Sequence, residues 1–492
     1  MALLHELVDR AGRTWPDRTA VSTAAESIDW VRLAAASRRL AGWLSDLGLQ
    51  RGQRVLFTGP AGPVIPALCF ASSRLGTPFA VLHEATRGAA LAHVLADAEP
   101  ALLVADDPSA LESARAAGVP TATLAQAAEY GLDGPIPEHL PEPISVDPLC
   151  LIYTSGTTDR PKAVVSTHQQ AVFAVDAIQS MLGYRPDDVV YCPLPLSFDY
   201  GLYQVFLGAA SGAHIRLGTP AEAGPGLLRT MVRAEATVLA SMPAVAHTLA
   251  RLIARNPVQL PPLRLLTNTG AAMPPETLSE LRAGLPRLRV QLMFGLTECK
   301  RAAIMPPDAD LDRPGACGVA LPGTEIMAID TDGNRLPAGQ IGELVVRGAN
   351  VMTGYWRRPE LTAQKFHRVD GLFPELRTGD HGWLDEDGYV YFVGRLDDIY
   401  KERGFRVSAT EVEAAARRVP GVDLAAVLPP LDGQPSVLAV VTGSTADAVL
   451  LRLRAEIEEF KIPRQCVVVD RLPLTRNGKV DRAVLRAEVS HD

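Results

Sequence analysis

The chain lacks the residue patterns that mark several common enzyme classes. Its six cysteines (Cys69, Cys150, Cys192, Cys299, Cys317 and Cys466) are scattered, and no two form a C-x-x-C pair. That spacing argues against a disulfide framework or a cysteine zinc site and for reduced, mostly buried thiols. The ten histidines include no H-E-x-x-H, so a transition metal held by the protein is not expected. Neither the dinucleotide fingerprint G-x-G-x-x-G nor the P-loop G-x-x-x-x-G-K-[ST] occurs. Basic residues are not in excess: 48 Lys and Arg stand against 56 Asp and Glu, a formal net charge of -8. A general nucleic-acid binder needs a basic face, so that class is disfavoured. The most apolar segment, near Val64–Ser72, is interrupted by Pro66 and is too short to span a bilayer. The start, MALLHELVDR, has acidic residues inside its first apolar turn and not the basic-then-apolar layout of a signal peptide. A cytoplasmic protein with no membrane and no nucleic-acid partner is expected.

What is present is sequence for a large soluble protein. The 492 residues amount to roughly three domains' worth of chain, and 47% hydrophobic with 21% charged residues is a globular balance. Val31–Leu47 places Leu33, Leu40, Leu44 and Leu47 on one helical face, with Gly48 as its stop. Strand-like and helix-like segments then alternate: Arg54–Phe57, Ala67–Leu75, Phe79–Leu82, Ala89–Ala96 and Ala101–Ala105. This predicts an α/β fold with helices packed on a mainly parallel sheet. Thr324–Ile329 and Gly342–Arg347 predict an antiparallel, β-rich portion around the turn Asp332-Gly333-Asn334. After Gly394 the composition shifts, and a small α+β tail is predicted from helix Glu411–Val419, strands Ala425–Leu428 and Val437–Val441, and helix Ala446–Phe460. The expected organisation is a large domain over 1–396 and a small one over 397–492.

The densest chemistry lies in Leu151–His168, LIYTSGTTDRPKAVVSTH. A buried strand breaks into Thr154, Ser155, Gly156, Thr157 and Thr158, and Lys162 follows. Hydroxyls, free backbone N–H groups and one ammonium converge there, a combination that binds anions and suits phosphate. Ser166-x-x-Gln169 matches a capping box, which would set the loop between a strand and a helix start. His168 is then a first-turn helix residue. Alone, such a cluster is also compatible with a plain turn.

Three further stretches bear on the choice. Phe294-Gly295-Leu296-Thr297-Glu298 offers a hydroxyl and a carboxylate after a strand. A carboxylate beside a triphosphate makes sense as a magnesium ligand, since carboxylate facing bare phosphate is repulsive; a helix cap is the other reading. Asp380, in Arg377-Thr378-Gly379-Asp380, can accept both hydroxyls of a ribose with Arg395 behind it, or simply form an ion pair. Asn477-Gly478 makes a tight turn presenting Lys479, which either enters a nucleotide site or is a solvated loop lysine.

Taken together, and in this order and spacing, these motifs resemble the adenylate-forming superfamily of acyl-CoA synthetases, stand-alone adenylation domains of non-ribosomal peptide synthesis and luciferases. Gly342–Phe366, GELVVRGANVMTGYWRRPELTAQKF, resembles that family's core segment, and the resemblance runs from the Val31 helix to Arg482. It implies that a carboxylate attacks the α-phosphorus of Mg-ATP to give an acyl-adenylate and pyrophosphate, and that a phosphopantetheine thiol then takes the acyl group. It also implies that Thr154, Ser155, Gly156, Thr157, Thr158 and Lys162 hold the β,γ-phosphates. Phe294 would lie at the nucleotide, Glu298 would ligate Mg²⁺, Thr297 would contact the α-phosphate, and Asp380 and Arg395 would fix the ribose. Lys479 would bridge the carboxylate and the α-phosphate, Asp397 would be the hinge, and Gly404 and Arg406 would belong to the thioester-forming face. The family loop reads TSGTTGxPKG, and this chain has Asp159 and Ala163 at the two glycine positions. The charge of Asp159 should weaken ATP binding unless it points away.

By position, the acid pocket would involve Asp199, Tyr200, Tyr203, Thr267, Thr269, Gly270, Met293, Arg301 and Ala302. In amino-acid-activating relatives an aspartate matching Asp199 pairs with the substrate ammonium, which a buried carboxylate would require. Against this, Asp199 could bond to backbone, and a short or aryl acid would then be the substrate. Arg301 could meet a second substrate carboxylate or pair with Asp199; the second outcome removes the main support for an amino acid. Either CoA or a carrier protein would be an external acceptor. A phosphate-releasing ATPase is disfavoured because no Walker pattern exists, and a non-catalytic ATP-binding relative would bind ATP without pyrophosphate exchange.

Overall fold

The computed structural model describes residues 3–154, 161–255, 259–368, 374–395, 399–402, 405–431, 435–457, 459–475 and 480–489. Two compact units make up the chain. The first comprises Met1–Pro314, Gly318–Glu325 and Val346–Leu376, and the second Gly315–Cys317, Ile326–Val345 and Arg377–Asp492.

The first unit contains two twisted sheets. In one, strands Thr121–Ala122, Leu102–Ala105, Val55–Thr58, Phe79–Leu82 and Pro148–Thr154 run parallel, and Lys162–Thr167 and Gly354–Tyr355 add on antiparallel. The three central strands carry only buried residues, as expected of parallel strands covered on both faces. In the other, Thr19–Ser22, His214–Leu217, Val189–Cys192, Val238–Ser241, Leu265–Asn268 and Arg289–Phe294 lie in that order, all parallel. Helices including Trp30–Asp46, Val64–Leu75, His168–Leu182 and Asp199–Ser211 cover the sheets. The mixed α/β fold expected from alternation is therefore observed. In the Trp30 helix Leu33, Leu40 and Leu44 are buried; Leu47, expected on the same face, is the C-cap and is 46% exposed.

The loop expected between a strand and a helix instead joins two strands. Pro148–Thr154 pairs antiparallel with Lys162–Thr167, with Thr154 opposite Lys162, and the helix begins only at His168. Its cap is Thr167, which accepts from Gln170 N, while the Gln170 side chain accepts from Thr167 N. Ser166 lies one residue further back in the strand, opposite Cys150, and the strand's last residue, Thr167, is the one that caps. The six-residue strand Lys162–Thr167 thus separates the helix start from this loop along the chain.

In the second unit, the part of strand Pro374–Leu384 from Asp380 onward pairs with Tyr389–Arg395 as a hairpin. Beyond it, helix Ala409–Arg418 packs on strands Val422–Leu428, Val437–Thr442 and Gln465–Val468. The helix predicted over Ala446–Phe460 ends at Leu453, because the chain turns to place Ile457 and Ile462 in the core. All six cysteines are free, four of them buried. Among the described residues no helix is long and apolar enough to cross a membrane.

Candidate active site

Parallel strands leave their C-terminal ends open to ligands, and the predicted pocket residues gather there. Leu265–Asn268 and Arg289–Phe294 run side by side. Thr267 and Thr269 are buried at the end of the first, and Met293 and Phe294 at the end of the second. Asp199 and Tyr200 open the helix Asp199–Ser211 and are both buried. The Tyr200 hydroxyl lies 2.7 Å from Thr267 Oγ1 and donates to Thr267 O at 2.8 Å, so Tyr200 is tied to the end of that strand, and burial raises its phenol pKa. Tyr203, also buried, packs edge-on against Phe206. Gly270 adopts φ +87°.

After Phe294 the chain makes a turn, and no helix begins, which removes the helix-cap reading of Thr297 and Glu298. A Cβ at Gly295 would come within 2.3 Å of Lys300 O, so only glycine permits this turn. Lys300 itself is left-handed, at φ +62°, a conformation costing about 1–2 kcal/mol for such a residue. Its ammonium is buried and donates to Thr297 O at 3.0 Å; burial pulls its pKa down. Asn350, also buried, donates to Cys299 O (3.2 Å) and Arg301 O (2.9 Å). Neither Lys300 nor Asn350 was singled out from sequence, because their partners are backbone carbonyls that no motif reveals.

Arg301 reaches back across the pocket. Its Nη1 lies 3.1 Å from Asp199 Oδ2, and its guanidinium sits over the Tyr200 ring at 4.6 Å. Thr297 Oγ1 donates to Asp199 Oδ1 at 3.5 Å. Asp199 therefore has a cation within the protein. The argument that a buried carboxylate must draw an ammonium from the substrate loses its force, a correction to the expectation from sequence.

On the phosphate side, Ser155, Gly156, Thr157, Thr158 and Asp159 lie outside the described residues. Thr154 Oγ1 donates to Lys162 O at 3.5 Å, and Lys162 Nζ stands 4.1 Å from the Tyr355 ring centroid. The Tyr355 hydroxyl donates to Glu298 Oε1 at 2.6 Å. The loop lysine and the predicted magnesium ligand thus meet on one tyrosine, a residue within the recognised core segment that carried no chemical signal of its own. In the second unit Asp380 and Arg395 are opposite one another across the hairpin. Arg395 Nε donates to the buried Asp380 Oδ1 at 2.9 Å, and Asp380 N donates to Thr378 Oγ1. Arg406 lies in strand Phe405–Ser408, opposite Lys401. Asp397, Gly404 and Lys479 fall outside the described residues; Leu474 and Val480, flanking the expected lysine turn, form an antiparallel bridge. His168 is buried at the first position of its helix and its Nδ1 accepts from Leu4 N at 3.3 Å, as the non-catalytic reading requires.

These features coincide with a known family. The profile of the AMP-binding enzyme family matches residues 8–356, and that of the AMP-binding enzyme C-terminal domain matches 411–479. The chain belongs to this family, the adenylate-forming superfamily of AMP-forming acid–thiol ligases. It is 28% identical over 500 residues to a dimodular nonribosomal peptide synthase of Bacillus subtilis (strain 168), covering 98% of this chain but only 21% of that longer protein. VinN, solved alone and in complex with L-aspartate, is 37% and 36% identical with TM-scores of 0.75 and 0.74; the matches cover 80% of this chain and 99% and 98% of VinN. ATP-bound MatB from Rhodopseudomonas palustris is 30% identical with a TM-score of 0.87, covering 99% of both chains.

Proposed function

We propose that the protein activates an amino or β-amino acid with ATP, forming the acyl-adenylate and pyrophosphate, and then transfers the acyl group to a phosphopantetheine thiol of a carrier protein or of CoA. The substrate that best fits the pocket carries a second carboxylate. Paired with Arg301, Asp199 no longer demands a substrate ammonium, but the buried pair itself offers complementary charges to one kind of amino acid. An amino dicarboxylic acid can exchange both partners at once, its ammonium on Asp199 and its spare carboxylate on Arg301, and no buried charge is left unmatched. An acid with an ammonium alone would leave Arg301 unpaired. The likeness to VinN, solved with L-aspartate, supports the same class. A second reading follows from the same contact: the pair stays closed as a pocket wall, and a short or aryl acid is the substrate.

In this reading Thr154 through Thr158 and Lys162 hold the β,γ-phosphates, Thr297 contacts the α-phosphate, and Asp380 with Arg395 takes the ribose. Lys479 bridges the attacking carboxylate and the α-phosphorus. Asp397 is the hinge between domains at 1–396 and 397–492, and Gly404 and Arg406 serve the thioester step. Magnesium fits the donor set. No group of three or more His, Cys, Asp or Glu that could hold a metal exists among the described residues, so Glu298 belongs to no such cluster. Mg²⁺ accepts that, taking its other oxygens from phosphates and water, and when bound it would neutralise phosphate charge. ATP–pyrophosphate exchange over amino dicarboxylic, β-amino, aryl and short acyl acids tests the assignment. Exchange confined to acids bearing both ammonium and second carboxylate supports it; exchange confined to short or aryl acids selects the second reading.

A further inference from the structure

A carboxylate on a turn has several rotamers, and a metal ligand needs one. Glu298 lies on such a turn and is half-buried. Its Oε1 accepts the Tyr355 hydroxyl at 2.6 Å, and no hydrogen bond to Oε2 is present among the described residues. The Tyr355 ring is itself held, edge-on to Phe366 at 5.6 Å between centroids and beneath Lys162 Nζ at 4.1 Å. Its backbone pairs with Val164, two residues beyond Lys162, and its N–H donates to Thr362 Oγ1 at 2.9 Å.

The segment beyond Tyr355 is anchored at one buried aspartate, through its carbonyl and its carboxylate. Trp356 Nε1 donates to Asp97 O at 3.0 Å, Arg358 Nη2 to Asp97 Oδ1 at 2.7 Å, and the Tyr153 hydroxyl to Asp97 Oδ2 at 3.0 Å. Tyr153 immediately precedes Thr154 at the mouth of the phosphate loop. Asp97 thus ties the Tyr355 segment to the strand that carries the loop, and the register between Lys162 and Glu298 is fixed from both ends.

We propose that Tyr355 is a positioning residue: its hydroxyl occupies one oxygen of Glu298 and aims the other at the magnesium of Mg-ATP, while its ring keeps the loop lysine in place. A hydrogen bond to a ligating carboxylate orients it, and removing such a partner typically costs 10–100-fold in metal affinity. The inference rests on the nucleotide and magnesium roles proposed above.

The two can be separated by measuring ATP binding calorimetrically with magnesium titrated from zero, for the wild type, Tyr355→Phe, Glu298→Gln and the double variant. The phenylalanine keeps the ring beneath Lys162 and against Phe366. Its ATP affinity in chelator should therefore match the wild type, as should its melting temperature. The magnesium needed for half-maximal enhancement of ATP binding should rise by about 10-fold or more. In the Glu298→Gln background the second substitution should add nothing, since both act on one ligand. Wild-type magnesium dependence in Tyr355→Phe, or additive effects in the double variant, overturns the inference. A wild-type protein whose ATP binding ignores magnesium overturns the underlying role of Glu298 as well.

Discussion

Arg301 and Asp199 form a buried ion pair, with Nη1 to Oδ2 at 3.1 Å and side chains 4% and 5% exposed. Removing one partner of a buried pair leaves an uncompensated charge and costs about 3–5 kcal/mol, whereas replacing both by apolar groups is often neutral or better. Asp199→Asn should therefore lower the melting temperature by several degrees, and Asp199→Leu with Arg301→Leu should recover most of it. Neither variant should exchange pyrophosphate with an amino dicarboxylic acid. If the single variant melts like the wild type, the pair is not closed in solution.

In the proposed ribose role, the Asp380–Arg395 contact would govern nucleotide choice. An ionised acceptor bonded to a hydroxyl contributes about 1.5–3 kcal/mol, on the order of 10–100-fold in affinity. Asp380→Asn should weaken ATP by that factor. It should also erase discrimination against 2′,3′-dideoxy-ATP, because the discrimination depends on the hydroxyls that Asp380 accepts. Binding of both nucleotides to the two proteins checks this, and retained discrimination in the variant rules out the ribose role.

How far the sequence speaks is visible at the phosphate loop. The strand before it and its Ser/Thr/Gly composition were legible because both are local. The strand after it was not. Ser166-x-x-Gln169 and Thr167-x-x-Gln170 fit the same capping pattern one residue apart, and only the length of the strand, which runs to Thr167 against Pro148–Thr154, decides between them. The same limit hid the state of the acid pocket. Asp199 and Arg301 lie 102 residues apart, so their pairing could be named as an alternative but not chosen. Tyr355, Lys300 and Asn350 act through contacts with backbone carbonyls or a single carboxylate, and such contacts leave no periodic or motif signal. By contrast the parallel strands, short and mostly apolar runs, are legible to within a residue or two at Phe79–Leu82 and Arg289–Phe294.

The buried His168 and the half-buried His5 set a pH limit on stability. His168 is pushed down to about 4 and His5 to about 3, chiefly by burial; Arg74 and the facing His168 add to the effect at His5, and Asp9 and Asp147 oppose it. Both native values lie below the ordinary 6.5, so between pH 6.5 and about 4 the unfolded chain binds more protons and stability rises with pH. The stabilisation is complete above pH 6.5 and is lost as pH falls through that window, by on the order of 3 kcal/mol for His168. Melting temperature should fall steadily from pH 6.5 to 4.5, and His168→Asn should flatten that slope. A wild-type profile level across this range contradicts the burial argument.

Lys479 offers the sharpest separation of the two half-reactions. In the proposed mechanism negative charge concentrates between the attacking carboxylate and the α-phosphate only during adenylation. A preorganised ammonium there contributes on the order of 10²–10³ in rate. The thioester step releases AMP and has no such need, and a domain movement about Asp397 would carry the lysine away from the site before it. Lys479→Ala should thus lose ATP–pyrophosphate exchange by about 10²-fold or more while ATP binding changes little. Thioester formation from chemically supplied acyl-adenylate should continue near the wild-type rate. Equal loss in both half-reactions would place Lys479 in a structural role, and full exchange in the variant would remove it from the chemistry altogether.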